Sequence, residues 1–146
     1  MYQLGGTFYS ALGEDDDAYL LARLIQFFTP GIPQVYYVGM LAGTNDFDVL
    51  GKGGNGREIN RHNFTVEEIE ERIQMPMLQR MYEAMRMRNT CDAFNGEFTA
   101  EEGPQSGDIR MSWKNGDSIA VLEANLASKD WKITYTSEDG EKVMKR

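Results

Sequence analysis

The hexapeptide Gln34–Gly39, QVYYVG, constrains this chain more than any other feature. It is a short, continuous apolar run of β-branched and aromatic residues, the pattern of a strand buried on both faces in a parallel sheet. Thr29-Pro30-Gly31-Ile32-Pro33 precedes it as a turn, and before the turn Glu14–Phe28 is predicted to be a helix. Its first turn carries Glu14, Asp15, Asp16 and Asp17, which suit the positive end of a helix dipole. Leu21, Leu24, Ile25 and Phe28 then recur at i, i+3, i+4 and i+7 on one face. A helix delivered by a tight turn into such a strand is half of an α/β repeat. One parallel strand cannot close a sheet, because it needs parallel neighbours and cover on both faces. The expectation is therefore a fragment, the last slice of a larger barrel or sheet.

Beyond the strand lies DFDVLGKGGNGREINRH, residues 46 to 62, where α/β proteins bind ligands at the strand's carboxyl end. Gly51, Gly53 and Gly56 satisfy the dinucleotide pattern G-x-G-x-x-G, with Lys52, Arg57, Arg61 and the only histidine, His62, close by. That pattern works only when a strand enters the first glycine and a helix opens at the last, so that the helix N-terminus faces a pyrophosphate. Asp46–Leu50 offers at most two consecutive aliphatics, and no apolar stripe of helical period follows Gly56. A flexible loop is the better reading.

After the loop, Thr65-Val66-Glu67-Glu68 forms a capping box, and Ile69 and Ile73 continue that helix. Pro76 opens a second helix where proline costs least, with Leu78, Met81, Tyr82 and Met85 as its apolar stripe. The five methionines between 75 and 87 suit core packing better than an adaptable partner surface. From about Asn95 the texture changes to alternation. Asp108–Trp113 and Ser118–Glu123 flank an Asn-Gly turn at 115 and 116, the strongest short hairpin signal. A second hairpin, Trp131–Thr136 with Glu141–Met144, turns at Ser137–Gly140. The predicted organisation is residues 1–90 as the end of an α/β body and 91–146 as a small antiparallel β domain, divided near Asn89–Asn95.

The net charge of −8 over 146 residues argues against nucleic acid or an anionic membrane as partner. No apolar run approaches the ~20 residues of a membrane span, and Met1–Gly6 lacks the features of a signal peptide. The single Cys91 rules out an internal disulfide and suits a reducing compartment, so a cytoplasmic protein is expected. The acidic run at 14–17 lacks the D-x-D-x-D-G spacing of a calcium loop and reads as a solvated helix cap. Neither a catalytic elbow nor a zinc motif occurs, and Ser10 and Cys91 sit in no nucleophile motif. Retaining glycosyl transfer needs two carboxylates about 5–5.5 Å apart, and no pair can be selected from spacing. His62 beside arginines reads as a hydrogen-bonded loop residue rather than a base. No catalytic residue, metal or cofactor is assigned.

TPGIPQVYYVGMLAGTNDF, YSALG and GREINRH closely resemble the glucosyl-transferring phosphorylases of the α-amylase superfamily, sucrose phosphorylase and its near relatives. The likeness runs from Met1 to about Asn89, and the β tail matches in kind. It implies the last segment of a (β/α)₈ barrel followed by a small C-terminal antiparallel β domain. Gln34–Gly39 would be the eighth strand, with Glu14–Phe28 and the helix from Pro76 as the seventh and eighth helices. The implied activity is retaining cleavage of an α-glucoside by phosphate, giving α-glucose 1-phosphate. Tyr2 would face phosphate, Gln3 the acceptor sugar, and Arg57 the glucose hydroxyls, which a planar fork of donors suits. The family's catalytic carboxylates come from earlier strands, so the missing N-terminal barrel segment is the implied partner and independent catalysis is not expected. Leu4-Gly5-Gly6, Glu58 and Asn63-Phe64 depart from the family pattern. The glucoside stays open among sucrose, sucrose 6-phosphate, glucosylglycerol and glucosylglycerate. A non-catalytic remnant or interaction module stabilised by a partner chain is the alternative.

Overall fold

A computed structural model of the chain describes residues 5–51, 53 and 55–146. In chain order the elements are α1 (Phe8–Ala11), α2 (Asp16–Phe28), α3 (Tyr37–Met40), α4 (Asp48–Gly51), α5 (Val66–Arg72) and α6 (Pro76–Thr90). A 3-10 turn over Asp92–Asn95 leads into β1 (Glu97–Glu102), β2 (Asp108–Asn115), β3 (Ser118–Asn125), β4 (Trp131–Ser137) and β5 (Gly140–Lys145). The chain divides into two compact units, one within Met1–Leu20 and Gln34–Arg80, the other Leu21–Pro33 with Met81–Arg146.

The second unit holds a five-stranded antiparallel meander in the order β1-β2-β3-β4-β5. Its register follows from strict alternation. Ala100, Met111, Leu122, Ile133 and Met144 line up across all five strands, and Phe98, Trp113, Ala120 and Tyr135 form the next apolar row. The opposite face carries Glu101, Arg110, Glu123 and Lys132 as cross-strand neighbours, with ion-pair distances of 2.8, 3.8 and 3.9 Å. The β2–β3 hairpin turns on Gly116-Asp117, because Asn115 already pairs with Ser118. Gly116 has φ +56°, at the first central position, which a type II′ turn reserves for glycine. The β1 strand and the turn before it add to the two predicted hairpins.

The C-terminal carbonyls of α2 need partners, since a helix leaves its last four unsatisfied. Arg88 Nε donates to Phe27 O at 2.8 Å and Trp113 Nε1 to Phe28 O at 2.7 Å. The Arg88 guanidinium lies 4.2 Å from the Phe94 ring centroid, and its burial lowers its pKa. Phe28, Phe94, Trp113 and Phe98 form a chain of ring contacts with centroids 5.1–5.8 Å apart. Leu24, Phe28, Leu78, Met81, Leu122 and Ile133 are all fully buried. Met77, Met81 and Met87 are buried, so these methionines serve packing as expected. The buried stripe of α6 runs through Met77, Leu78, Met81, Ala84 and Met87, while Tyr82 and Met85 are half-buried.

The first unit differs from expectation in three places. The predicted strand Gln34–Gly39 is absent: the backbone is extended to Tyr36 (φ −70°, ψ 150°) and then coils into α3. A strand exists only through ladder hydrogen bonds to a neighbour, and no strand pairs with this run among the described residues. Instead of being buried on both faces, Gln34, Tyr36 and Tyr37 are exposed, and Val38 alone of the run is buried. Second, α2 starts at Asp16 rather than Glu14, because Glu14 has φ +58° and the Asp15 carboxylate caps the Ala18 N–H at 2.9 Å. Third, a short helical turn, α4, occupies part of the predicted loop.

Tyr19 anchors this unit. Its ring meets Phe8 and Tyr9 edge-on, and its hydroxyl donates to Gly39 O at 2.6 Å. Tyr9 donates to Asp16 at 2.8 Å, and burial together with that bond pushes its hydroxyl up to about 12. The capping box of α5 forms as predicted. A Cβ on Gly43 would lie 2.5 Å from Val38 Cγ1 and 2.9 Å from Phe64 Cζ, so glycine is required there for close packing.

Candidate functional site

The glycine-rich segment is closed at its base by the Asp46 N–H donating to Ile59 O at 2.9 Å. Ile59 is buried and anchors the return, while Phe47 and Leu50 are exposed. Between them the chain makes successive tight turns: Leu50 N–H to Phe47 O, Gly53 N–H to Leu50 O, and Glu58 N–H to Asn55 O. The Asn55 side chain accepts from Arg57 N at 2.9 Å, an Asx turn. No strand enters Gly51 and no helix opens at Gly56, so the geometry of a dinucleotide cradle is missing from the described residues.

Arg57 stands exposed on the outer part of this loop. Tyr2 and Gln3, the other two predicted site residues, lie outside the described residues. The segment that follows them is held against the loop. Thr7 N donates to Asn45 Oδ1 at 2.6 Å, Asn45 N to Ser10 Oγ at 2.9 Å, and Asn60 Nδ2 to Gly6 O at 3.4 Å. A Cβ on Gly5 would meet Gly56 O at 2.8 Å. Thus Gly5 packs closely against Gly56, the residue before Arg57.

His62 sits at the loop's exit. Its Nε2 is 3.1 Å from Glu68 Oε1 and its Nδ1 is 3.7 Å from Asp46 Oδ2, and its ring meets Phe64 edge-on at 4.6 Å. Glu68 Oε2 accepts the Thr65 N–H at 2.7 Å. That backbone bond first, and His62 second, hold the Glu68 carboxyl below the usual range. Arg72 lies over Phe64 at 5.3 Å and donates to Leu41 O and Ala42 O at 3.0 and 3.1 Å. Sequence reasoning singled out Arg57 and His62 but not Asp46, which faces His62, nor Asn45 and Asn60, which tie Gly6, Thr7 and Ser10 to the loop. The Asn45-Asp46 pair beside Gly43 was the available signal, since Asn and Asp before a glycine-rich loop commonly bond local backbone.

The arrangement offers a guanidinium fork and oriented amides rather than proton-transfer chemistry. Ser10 donates to Glu14 at 2.9 Å, and Cys91 is buried 3.7 Å from the Ile119 carbonyl. Among the described residues no cluster of His, Cys, Asp or Glu is placed to hold a metal ion, and no helix is long and apolar enough to cross a membrane.

No family model matches the chain. It is 52% identical over 98% of its length to a sucrose 6(F)-phosphate phosphorylase of Thermoanaerobacterium thermosaccharolyticum, of which it covers 29%. It is 49% identical over 97% to a glucosylglycerol phosphorylase of Marinobacter adhaerens, again covering 29%. A sucrose phosphorylase of Agrobacterium vitis is 46% identical over 92% of this chain. The crystal structure of sucrose 6F-phosphate phosphorylase from Thermoanaerobacter thermosaccharolyticum superposes with a TM-score of 0.90 at 51% identity, over 99% of this chain and 29% of that one. The chain thus spans under a third of the length of the curated relatives it matches.

Proposed function

We propose, from the premise that the chain corresponds to a C-terminal portion of sucrose-phosphorylase-type enzymes, that it supplies part of the sugar site of an α-glucoside phosphorylase. In this reading residues 1–90 are the closing segment of a (β/α)₈ barrel and 91–146 its C-terminal β domain. The reaction joins phosphate to the glucosyl carbon with retention, releasing the acceptor alcohol and α-glucose 1-phosphate. The reacting carboxylates belong to the larger remainder of the barrel, the partner on which activity depends. Arg57 grips glucose hydroxyls, and Tyr2 and Gln3 face phosphate and acceptor. The observation that carries the reading is identity of 46–52% over nearly the whole chain to phosphorylases whose names share the reaction and differ in acceptor. The exposed apolar residues Tyr36, Phe47, Leu50 and Val66 support a covering partner.

The test is a fused enzyme in which this chain replaces the matching portion of the Thermoanaerobacterium relative. It is assayed for glucose 1-phosphate from sucrose, sucrose 6-phosphate, glucosylglycerol and glucosylglycerate with phosphate. Turnover of one of these is expected; a folded fusion that releases no glucose 1-phosphate from any of them overturns the reading. In the active fusion Arg57→Ala should lower kcat/KM roughly ten- to hundredfold, the worth of hydrogen bonds from a charged donor. An unchanged value would remove Arg57 from the site.

A further inference from the structure

At the exit of the glycine-rich loop one imidazole faces two acids, Glu68 Oε1 at 3.1 Å from Nε2 and Asp46 Oδ2 at 3.7 Å from Nδ1. A neutral imidazole has a single N–H: it donates to one carboxylate and turns a lone pair toward the other. An imidazolium has two N–H groups, and can hydrogen-bond Glu68 while attracting Asp46 by charge across 3.7 Å. The two acids are themselves fixed on different elements. Asp46 is the first residue of the loop's closing bond to Ile59, and its Oδ1 accepts the Asp48 N–H at 3.1 Å. Glu68 is locked into the first turn of α5 by the capping box. His62 therefore stands where one proton decides whether the loop's base is tied to α5.

We propose that His62 is a positioning residue for the glycine-rich loop. Protonated, it bridges Asp46 and Glu68 and tightens the loop that carries Arg57; deprotonated, it keeps one acid and releases the other. The consequence for sugar binding rests on the function proposed above, whereas the bridge itself rests on this chain's geometry alone. The neighbouring charges are Asp48 at the start of α4, Arg61 beside His62, and Glu67 and Arg72 on α5. Imidazole is the side chain whose charge ordinarily changes between about pH 5 and 8, which sets the window for the test. The sign follows: raising the pH loosens the loop.

The experiment is amide hydrogen exchange of Asp46, Leu50, Gly53 and Glu58, whose carbonyl partners lie within the loop. The full chain is read by NMR from about pH 5.5 to about pH 8 and corrected for intrinsic rates. Protection should fall roughly two- to fivefold, the size expected for one partly exposed charge pair. His62→Gln, polar but unable to charge, should be flat in pH. So should Asp46→Asn, whose amide can donate to the neutral ring. Amides of β2 and β3 verify that each variant is folded. A loop whose protection ignores pH in the wild type, or falls equally in His62→Gln, overturns the proposal. No substrate enters this measurement, so a fusion without phosphorylase activity would sink the functional reading and leave the bridge standing.

Discussion

The sheet-bearing unit and the loop-bearing unit spend similar apolar residues in opposite ways. In the former every strand finds its ladder neighbour, and two apolar rows end on one face with a charged row on the other. In the latter the strand-like run Gln34–Val38 finds none among the described residues and leaves Tyr36 53% and Tyr37 40% exposed. The difference is one of backbone closure. A buried strand must pair its N–H and C=O groups, and β-branched composition alone provides no partner. An apolar strand pattern that stays unpaired and exposed fits a surface covered by a partner, which in the function proposed above is the remainder of the barrel.

The largest effect that would sharpen this contrast is core truncation in the sheet. Leu122→Ala, at a fully buried position, should cost about 2–5 kcal/mol, read as a lowered denaturation midpoint. Tyr36→Ser should change the midpoint by less than ~0.5 kcal/mol in this chain. Equal losses would erase the distinction between the two units. Next is Trp113→Phe, which leaves the buried Phe28 carbonyl without its donor and should cost about 1–3 kcal/mol. Thr65→Ala removes the α5 cap and should cost about 1 kcal/mol, seen as local exchange in α5 while β2–β4 amides keep their protection. The smallest effect is titration of Glu68. Its folded pKa is depressed, so its contribution is present above the unfolded carboxylate range and fades as pH falls through the folded value. Exchange in the first turn of α5 should accelerate on acidification below that range, and Glu68→Gln should abolish the dependence.

Features legible in the sequence were those decided locally. The capping box at Thr65, the helix start at Pro76 and the hairpin about Gly116 each depend on residues within a few positions, and each formed. The start of α2 was missed because Asp15 rather than Glu14 supplies the cap. The β1 strand was missed because EFTAEE is almost wholly exposed at a sheet edge and its alternation rests on only two apolar residues, Phe98 and Ala100. The strand at Gln34 was misread for the converse reason: its pattern is that of a strand, but a strand needs a ladder neighbour and none pairs with it among the described residues. Within the loop, Arg57 stood out by its place in the GREINRH motif and His62 as the only histidine. The Asp46–His62–Glu68 approach and the contact of Gly5 with Gly56 did not, because loop closure brings together residues far apart in the chain.

The account turns on whether Gln34–Val38 is a strand without its partners. Amide exchange of those residues, compared between this chain alone and the fused enzyme, tests that directly. The prediction is little protection in the chain alone and a rise of at least about a hundredfold in the fusion, the mark of burial in a cooperative sheet, with β2–β4 amides protected in both. Protection already present in the chain alone, or none in a folded fusion, would contradict it.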